Sequence, residues 1–386
     1  LPLIVFSHLR WNFVFQRPQH LLSRLAAQHP VIYIEEPECQ AGATPHWSIS
    51  QPQDGITVAR PITPFAAGGY ADEQMPALQT LVTELLRERQ LADYIAWFYT
   101  PMALPLLDGL QPRAVVYDCM DELAAFKHAP PELVPRERQL LARADVVLTG
   151  GPSLYEAKRQ HSSRAHCLPS SVDAAHYAPA TVAADAASRE AAERLQAGIG
   201  QPRLGFFGVV DERIDLGLID SLAEARPDWS LVIVGPVVKI DPATLPRRPN
   251  IHWLGQQDYR LLPALVASWD VCLMPFALNE HTRFISPTKT LEYLAADKPV
   301  VSTRVNDVVA MYAEVVSLAE SPQAFLAACE ALLRETQDEA AERLQRSRAC
   351  VARYSWDASA EQVRGWLREA MRPVIAANDE AAVTGT

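Results

Sequence analysis

Residues 286–301 read SPTKTLEYLAADKPVV, and this stretch carries the densest chemical signal in the chain. Lys289 and Glu292 stand three apart, so on a helix they share a face. Pro287 suits a first helical turn, where its missing N–H costs nothing. Ser286 can cap the orphan N–H groups just ahead of it. A helix start formed by Ser286, Pro287 and Thr288 beside Lys289 suits a diphosphate, and the carboxylate of Glu292 one turn on suits ribose hydroxyls. The same residues also describe a capped surface helix with a solvated Lys–Glu pair. Position favours a nucleotide-sugar site: the polar loop Asn279-Glu280-His281-Thr282-Arg283 precedes the stretch and follows the apolar run 271–274.

Three further groups follow apolar runs. Behind 3–6 comes SHLRWNFVFQRPQH, residues 7–20. There His8, Arg10, Gln16 and Arg17 could reach an acceptor's hydroxyls or phosphate. Alternatively Trp11, Phe13 and Phe15 are core and the arginines are solvated. Asp118, Asp121 and Glu122 place three carboxylates within five positions. They could bind sugar hydroxyls or perturb one another's pKa, and could equally be charges at a helix N-terminus. No His or second Asp pair stands at a spacing that suits a metal. In GVVDERID, residues 208–215, Gly208 lets backbone approach a ligand and Arg213 is a natural diphosphate partner, while Asp215 can cap the next helix. Gly235 and Gly255 mark similar turns. Neither the GxGxxG nor the GxxxxGK[ST] phosphate fingerprint occurs.

These groups must be held by what surrounds them. Short β-branched and aromatic runs alternate with longer amphipathic stretches, the pattern of βα units and parallel sheets. Strands are expected at 3–6, 31–35, 94–98, 114–118 and 145–148, then at 204–207, 230–234, 251–254, 271–274, 299–302 and 315–317. Helices are expected at 17–28, 72–89, 132–142, 215–224, 260–267, 287–295, 322–335 and 339–352. The strands are continuously apolar, as when both sheet faces are covered. The fold class is therefore α/β, with two tandem Rossmann-like, doubly wound domains at 1–178 and 203–352. An Ala-rich connection at 179–202 joins them, a helix at 353–373 closes the fold, and 374–386 is a tail or linker. Two such sheets facing each other leave a cleft outside the carboxyl ends of their strands.

The bulk properties remove several classes. A net charge of −11 argues against a broad nucleic-acid surface. No apolar run approaches the roughly 18–20 residues that span a bilayer. The run 3–7 is too short, and lacks a basic lead, for a secretory leader. The chain opens on Leu1 rather than Met, as a trimmed or excerpted sequence would. Its six cysteines are scattered without a CxxC pair, as expected of buried free thiols in a reducing cytoplasm.

On these residues the whole chain resembles the GT-B glycosyltransferases of the large retaining class, family 4 in character (glycosyltransferase group 1). Glu292 falls on the Glu that binds the donor ribose in that family. PSSVD at 169–173 with Tyr177 resembles its "PNGVD…F" element, and DVVLT at 145–149 with Ser153 resembles a typical strand and helix. YSWD at 354–357 resembles the start of the last helix, which in this fold crosses back to the first domain. The opening resembles a bacterial subgroup associated with surface polysaccharide synthesis, some of whose members are joined to other sugar-nucleotide enzymes. There are departures. Phe284 stands where the family has an earlier Glu, Arg213 has no Lys close behind it, and residues 11–17 replace a Gly-rich loop.

The resemblance implies metal-independent, retaining transfer from a nucleoside diphosphate sugar to a saccharide or lipid-linked acceptor. It implies no cofactor and a cytoplasmic place, with peripheral contact at the inner membrane left open. On this reading His8, Arg213 and Lys289 are catalytic. Gly208, Arg213, Gly235, Ser286, Pro287, Thr288, Lys289 and Glu292 bind the donor, and Arg10, Trp11, Gln16, Arg17, Asp118 and Asp121 face the acceptor. A sugar-nucleotide epimerase and a non-catalytic partner of the same fold are the alternatives. A dehydrogenase is disfavoured by the missing glycine fingerprint.

Overall fold

The continuous apolar runs become the buried strands of two sheets. A computed structural model describes residues 1–126 and 129–371, so the expected tail at 374–386 lies outside the described residues. The first half supplies β1 (Leu3–Phe6), β2 (Val31–Ile34), β3 (Glu38–Cys39), β4 (His46–Gln53), β5 (Ile56–Thr63), β6 (Ile95–Phe98), β7 (Ala114–Cys119), β8 (Val146–Thr149) and β9 (Ala165–Cys167). They lie in the order β3-β5-β2-β1-β6-β7-β8-β9, all parallel along that path, with β4 antiparallel on β5. The second half supplies β10 (Arg203–Phe207), β11 (Ser230–Val234), β12 (Ile251–Trp253), β13 (Val271–Met274), β14 (Val300–Thr303) and β15 (Ser317–Ala319). These form a parallel sheet in the order β12-β11-β10-β13-β14-β15.

Strand order in the second sheet reverses between β10 and β13, and in the first between β1 and β6. A crevice opens at such switch points, because successive crossovers leave in opposite directions. The segments that leave β1, β10 and β13 are the ones that begin at Ser7, Gly208 and Pro275. Topology thus selects the loops that carry the candidate side chains.

Several elements were not expected. The β4–β5 pair was missed because β4 is mostly exposed and polar, although Asp54-Gly55 between the two strands is a strong hairpin signal. The helix Asn306–Tyr312 and β9 are only seven and three residues long, too short to show a period.

The last helix, Trp356–Ala370, packs on the first sheet's outer face: Trp356, Ala360, Val363 and Leu367 are buried in one cluster with Leu21, Leu22 and Leu25. Burial of side chains this size stabilises by about 1.5–3 kcal/mol each. Arg24 seals the contact from helix Arg17–Leu25, with Nε 2.7 Å from Asp357 Oδ1. All six cysteines are free. Among the described residues no helix is long and apolar enough to cross a membrane.

Candidate active site

A cavity of about 1070 Å³ lies between the two halves. One wall is the segment Trp11 to Arg17 together with Met120 and Asp121. The other carries Gly208, Arg213, Gly235, the 256–260 loop, Ser286 to Lys289, and Glu292. The first segment reaches across: Phe15 stacks on Tyr259 at 4.8 Å between ring centres, and Gln256 Nε2 donates to the Phe13 carbonyl at 3.0 Å.

The helix at the end of β13 starts later than its sequence implies. It runs Lys289–Ala295, with Thr288 at the N-cap, so Pro287 lies ahead of the first turn and Glu292 within it. Ser286 does not cap this helix. Its hydroxyl instead lies beside Gly151, close to the carboxylate of Asp307.

Lys289 runs beneath Gly208. A Cβ on Gly208 would sit 2.0 Å from Lys289 Cε, and its φ of +143° is one that other residues rarely adopt. The glycine anticipated as a ligand's approach therefore makes room for the lysine. Burial pushes the Lys289 pKa down, while the neighbouring Glu292 pulls it up. Glu292 is buried, which raises its carboxyl to about 7 against the opposing effects of Lys289 and the Tyr177 hydroxyl. The Glu292 carboxyl therefore changes charge near neutrality.

Arg213 faces the cavity already paired: its Nε lies 2.9 Å from Asp211 Oδ1 and one terminal nitrogen 2.7 Å from Oδ2. Its guanidinium also sits 5.5 Å from the centre of the Phe126 ring, on the opposite half of the molecule. The sequence offered no lysine just behind Arg213. One arrives from the loop after β11 instead, with Lys239 Nζ 4.4 Å from the centre of the same ring. Asp121 lies across from them; burial raises its pKa, and Arg213 and Lys239 oppose the rise.

Several residues expected to face an acceptor are otherwise engaged. Asp118 is fully buried and does not line the cavity. Its Oδ1 accepts from Arg17 Nε at 3.0 Å, and Arg17 is only 1% exposed and also donates to the Leu168 carbonyl at 2.6 Å. Arg10 turns away to Glu35 Oε2 at 3.1 Å and the Glu36 carbonyl. His8 lies off the cavity lining with Nδ1 buried and unpartnered; burial, then Lys239, hold its pKa down to about 4, so it is neutral near pH 7. Trp11 and Gln16 do line the cavity, and both also serve the fold. The Trp11 indole packs edge-on against Tyr33 at 5.0 Å, and the Gln16 N–H donates to Gln19 Oε1 at 3.1 Å.

One contact had no sequence signal beyond an uncapped helix start. Helix Pro152–Lys158 begins at Gly151, which offers no capping side chain. Asp307, from the other half, accepts from the Ser153 N–H at 3.0 Å and from its hydroxyl. A Cβ on Gly151 would lie 1.9 Å from Asp307 Oδ2, so only glycine admits the carboxylate. Asp307 thereby joins the two halves beside Ser286 of the cavity wall.

Residues 201–335 match the family model described as Glycosyl transferases group 1. The proposed teichuronic acid biosynthesis glycosyltransferase TuaH of Bacillus subtilis is 27% identical over 304 residues, which cover 73% of this chain and 75% of the relative. Among solved structures, sucrose-phosphate synthase from Thermosynechococcus elongatus superposes with a TM-score of 0.71 at 16% identity, covering 95% of this chain and 98% of that one. Anabaena HepE in complex with UDP and glucose superposes with a TM-score of 0.68 at 14% identity, covering 95% and 99%. The chain carries a group 1 glycosyltransferase domain on a GT-B fold, and it is a glycosyltransferase.

Proposed function

We propose that this glycosyltransferase moves a sugar from a nucleoside diphosphate sugar to a saccharide or lipid-linked acceptor, without a metal and with retention of anomeric configuration, in the synthesis of a bacterial surface polysaccharide. The observation that carries the donor assignment is the Lys289–Glu292 pair, set in the first turn of a helix at the switch point of the second sheet and facing the cavity. Departure of the nucleoside diphosphate leaves negative charge. Lys289 and Arg213, which line the cavity, receive it together with the N–H groups at the start of helix Lys289–Ala295, and such preorganised charge lowers the barrier. Glu292 accepts hydrogen bonds from the ribose. Asp121, on the opposite wall, serves the transferred sugar or the acceptor.

Metal independence is supported by this supply of positive charge from the chain's own side chains. Retention rests on the family resemblance. The polysaccharide role is supported by the relative named for teichuronic acid biosynthesis, and the donor class by the neighbour solved with UDP and glucose. Calorimetric titration with UDP and GDP tests the donor site: Lys289→Ala and Glu292→Ala each weaken binding sharply, and wild-type affinity in both would sink the assignment. The anomeric configuration of the product, read by NMR, tests retention.

A further inference from the structure

Glu292 lines the cavity, but what holds its carboxylate lies behind it. Tyr177 ends the short helix Ala174–Tyr177, just before the chain crosses to the second half. It is 1% exposed and does not itself line the cavity. Its ring lies near-parallel to Phe207, 7° apart in plane, and Phe207 immediately precedes Gly208. The hydroxyl thus held donates to Glu292 Oε1 at 3.2 Å. Among the described residues this is the one side-chain hydrogen bond to that carboxylate, which leaves Oε2 without a protein partner.

We propose that Tyr177 is a positioning residue for donor recognition: its hydroxyl fixes the Glu292 carboxylate, in rotation and in charge, so that the free oxygen meets the ribose hydroxyls. This rests on the nucleotide-sugar reading above and deepens it. A phenyl ring would fill the same space, so the oxygen alone makes the difference. Without it, a buried carboxylate loses a donor to its charged form and turns more freely.

The charged and titratable groups around Glu292 are few. Lys289 and Tyr293 share its helix, His176 and Tyr177 approach from the short helix, and Tyr259 comes from the 256–260 loop. Arg213, Asp211 and Asp121 act on Lys289. From helix Gln337–Val351, Arg343 and Arg348 bear on Lys298 and Asp297, beyond the far end of the Glu292 helix. Removing the Tyr177 hydroxyl therefore changes the carboxylate's immediate partners and the surroundings of the Tyr259 hydroxyl, and leaves the charged groups in place.

The test is calorimetric titration of the full chain with UDP and with GDP between about pH 5.5 and 9, comparing wild type, Tyr177→Phe, Glu292→Gln and the double variant. Tyr177→Phe should weaken binding about five- to tenfold near neutral pH. Its acid limb should move to higher pH, because the carboxyl holds its proton longer. Glu292→Gln should flatten that limb, and adding Tyr177→Phe to it should cost less than about twofold more. Wild-type affinity and an unmoved limb in Tyr177→Phe overturn the proposal. So does a loss equal at every pH and additive with Glu292→Gln, which marks packing alone. If the wild type binds neither nucleotide, the donor reading falls and this inference with it. If Glu292→Gln weakens binding and Tyr177→Phe does not, only the positioning role falls.

Discussion

The two walls of the cleft are both rich in charge, yet they use it differently. On the second-half wall, Lys289 and Glu292 face the cavity and act on each other's charge through a local spacing of three residues. On the first-half side, Arg17 and Asp118 consume each other's charge in a buried pair whose members are 101 residues apart, and Arg10 is taken by Glu35. The lesson concerns range. A functional pair set by a single helix is visible in sequence, whereas a charge cancelled by a distant strand looks the same in sequence as one offered to a ligand. What the first half presents to the cavity is mainly aromatic and amide surface with Asp121, a wall suited to stacking on a sugar rather than to clamping a phosphate.

The largest expected effect would break this comparison if it failed. Arg17→Met leaves the Asp118 carboxylate buried without its partner, so stability to urea should fall by about 3–5 kcal/mol. Nucleotide affinity of the folded fraction should stay near wild type, since Arg17 acts on the fold. A tolerated substitution that instead abolished binding would return Arg17 to the site. Next in size, Lys289→Ala should weaken UDP or GDP binding by about 1.5–3 kcal/mol, the range of a hydrogen bond to a charged group, and change the unfolding midpoint far less. The reverse ranking would make the lysine structural.

A smaller effect follows from the raised Glu292 carboxyl. Its pKa of about 7 means that the ionised form, which accepts from ribose, is lost as pH falls through neutrality. Donor affinity should therefore fall by up to about tenfold per pH unit on the acid side. The buried Lys289, with its pKa lowered, should give an alkaline limb below the usual lysine range. Glu292→Gln removes the acid limb while the nucleotide's own titration remains, so the difference between the two proteins isolates the residue. Identical profiles would show that Glu292 is not the titrating group.

Much of the architecture was legible because parallel strands buried on both faces are written as continuous apolar runs. β1, β11 and β13 begin and end where those runs do. Boundaries at polar joints were not legible. Pro287 marks a helix start by type, but the regular helix begins only at Lys289, and Ser286 lies beside Gly151 of the other half, a neighbour with no local signature. Lys239 was invisible for a related reason. It serves the site through a loop 26 residues after Arg213, and the parallel pairing of β10 with β11 brings the two loops to one edge of the sheet.

That meeting point also offers the finest test of how cleanly the walls divide their work. Phe126 belongs to the first half, yet its ring attracts both Arg213 and Lys239 of the second. A cation over a ring face contributes about 0.5–1 kcal/mol at an exposed site, so Lys239→Ala should weaken donor binding by only about two- to fivefold. Phe126→Leu keeps apolar bulk and removes the quadrupole that both cations face. If the first wall only shapes the acceptor side, Phe126→Leu should raise the KM for acceptor and leave nucleotide affinity within about twofold. If it lowers nucleotide affinity more than Lys239→Ala does, the ring is part of the donor site. The diphosphate would then be held by cations whose placement depends on the opposite half, and closure of the cleft would be a condition of tight donor binding rather than its consequence.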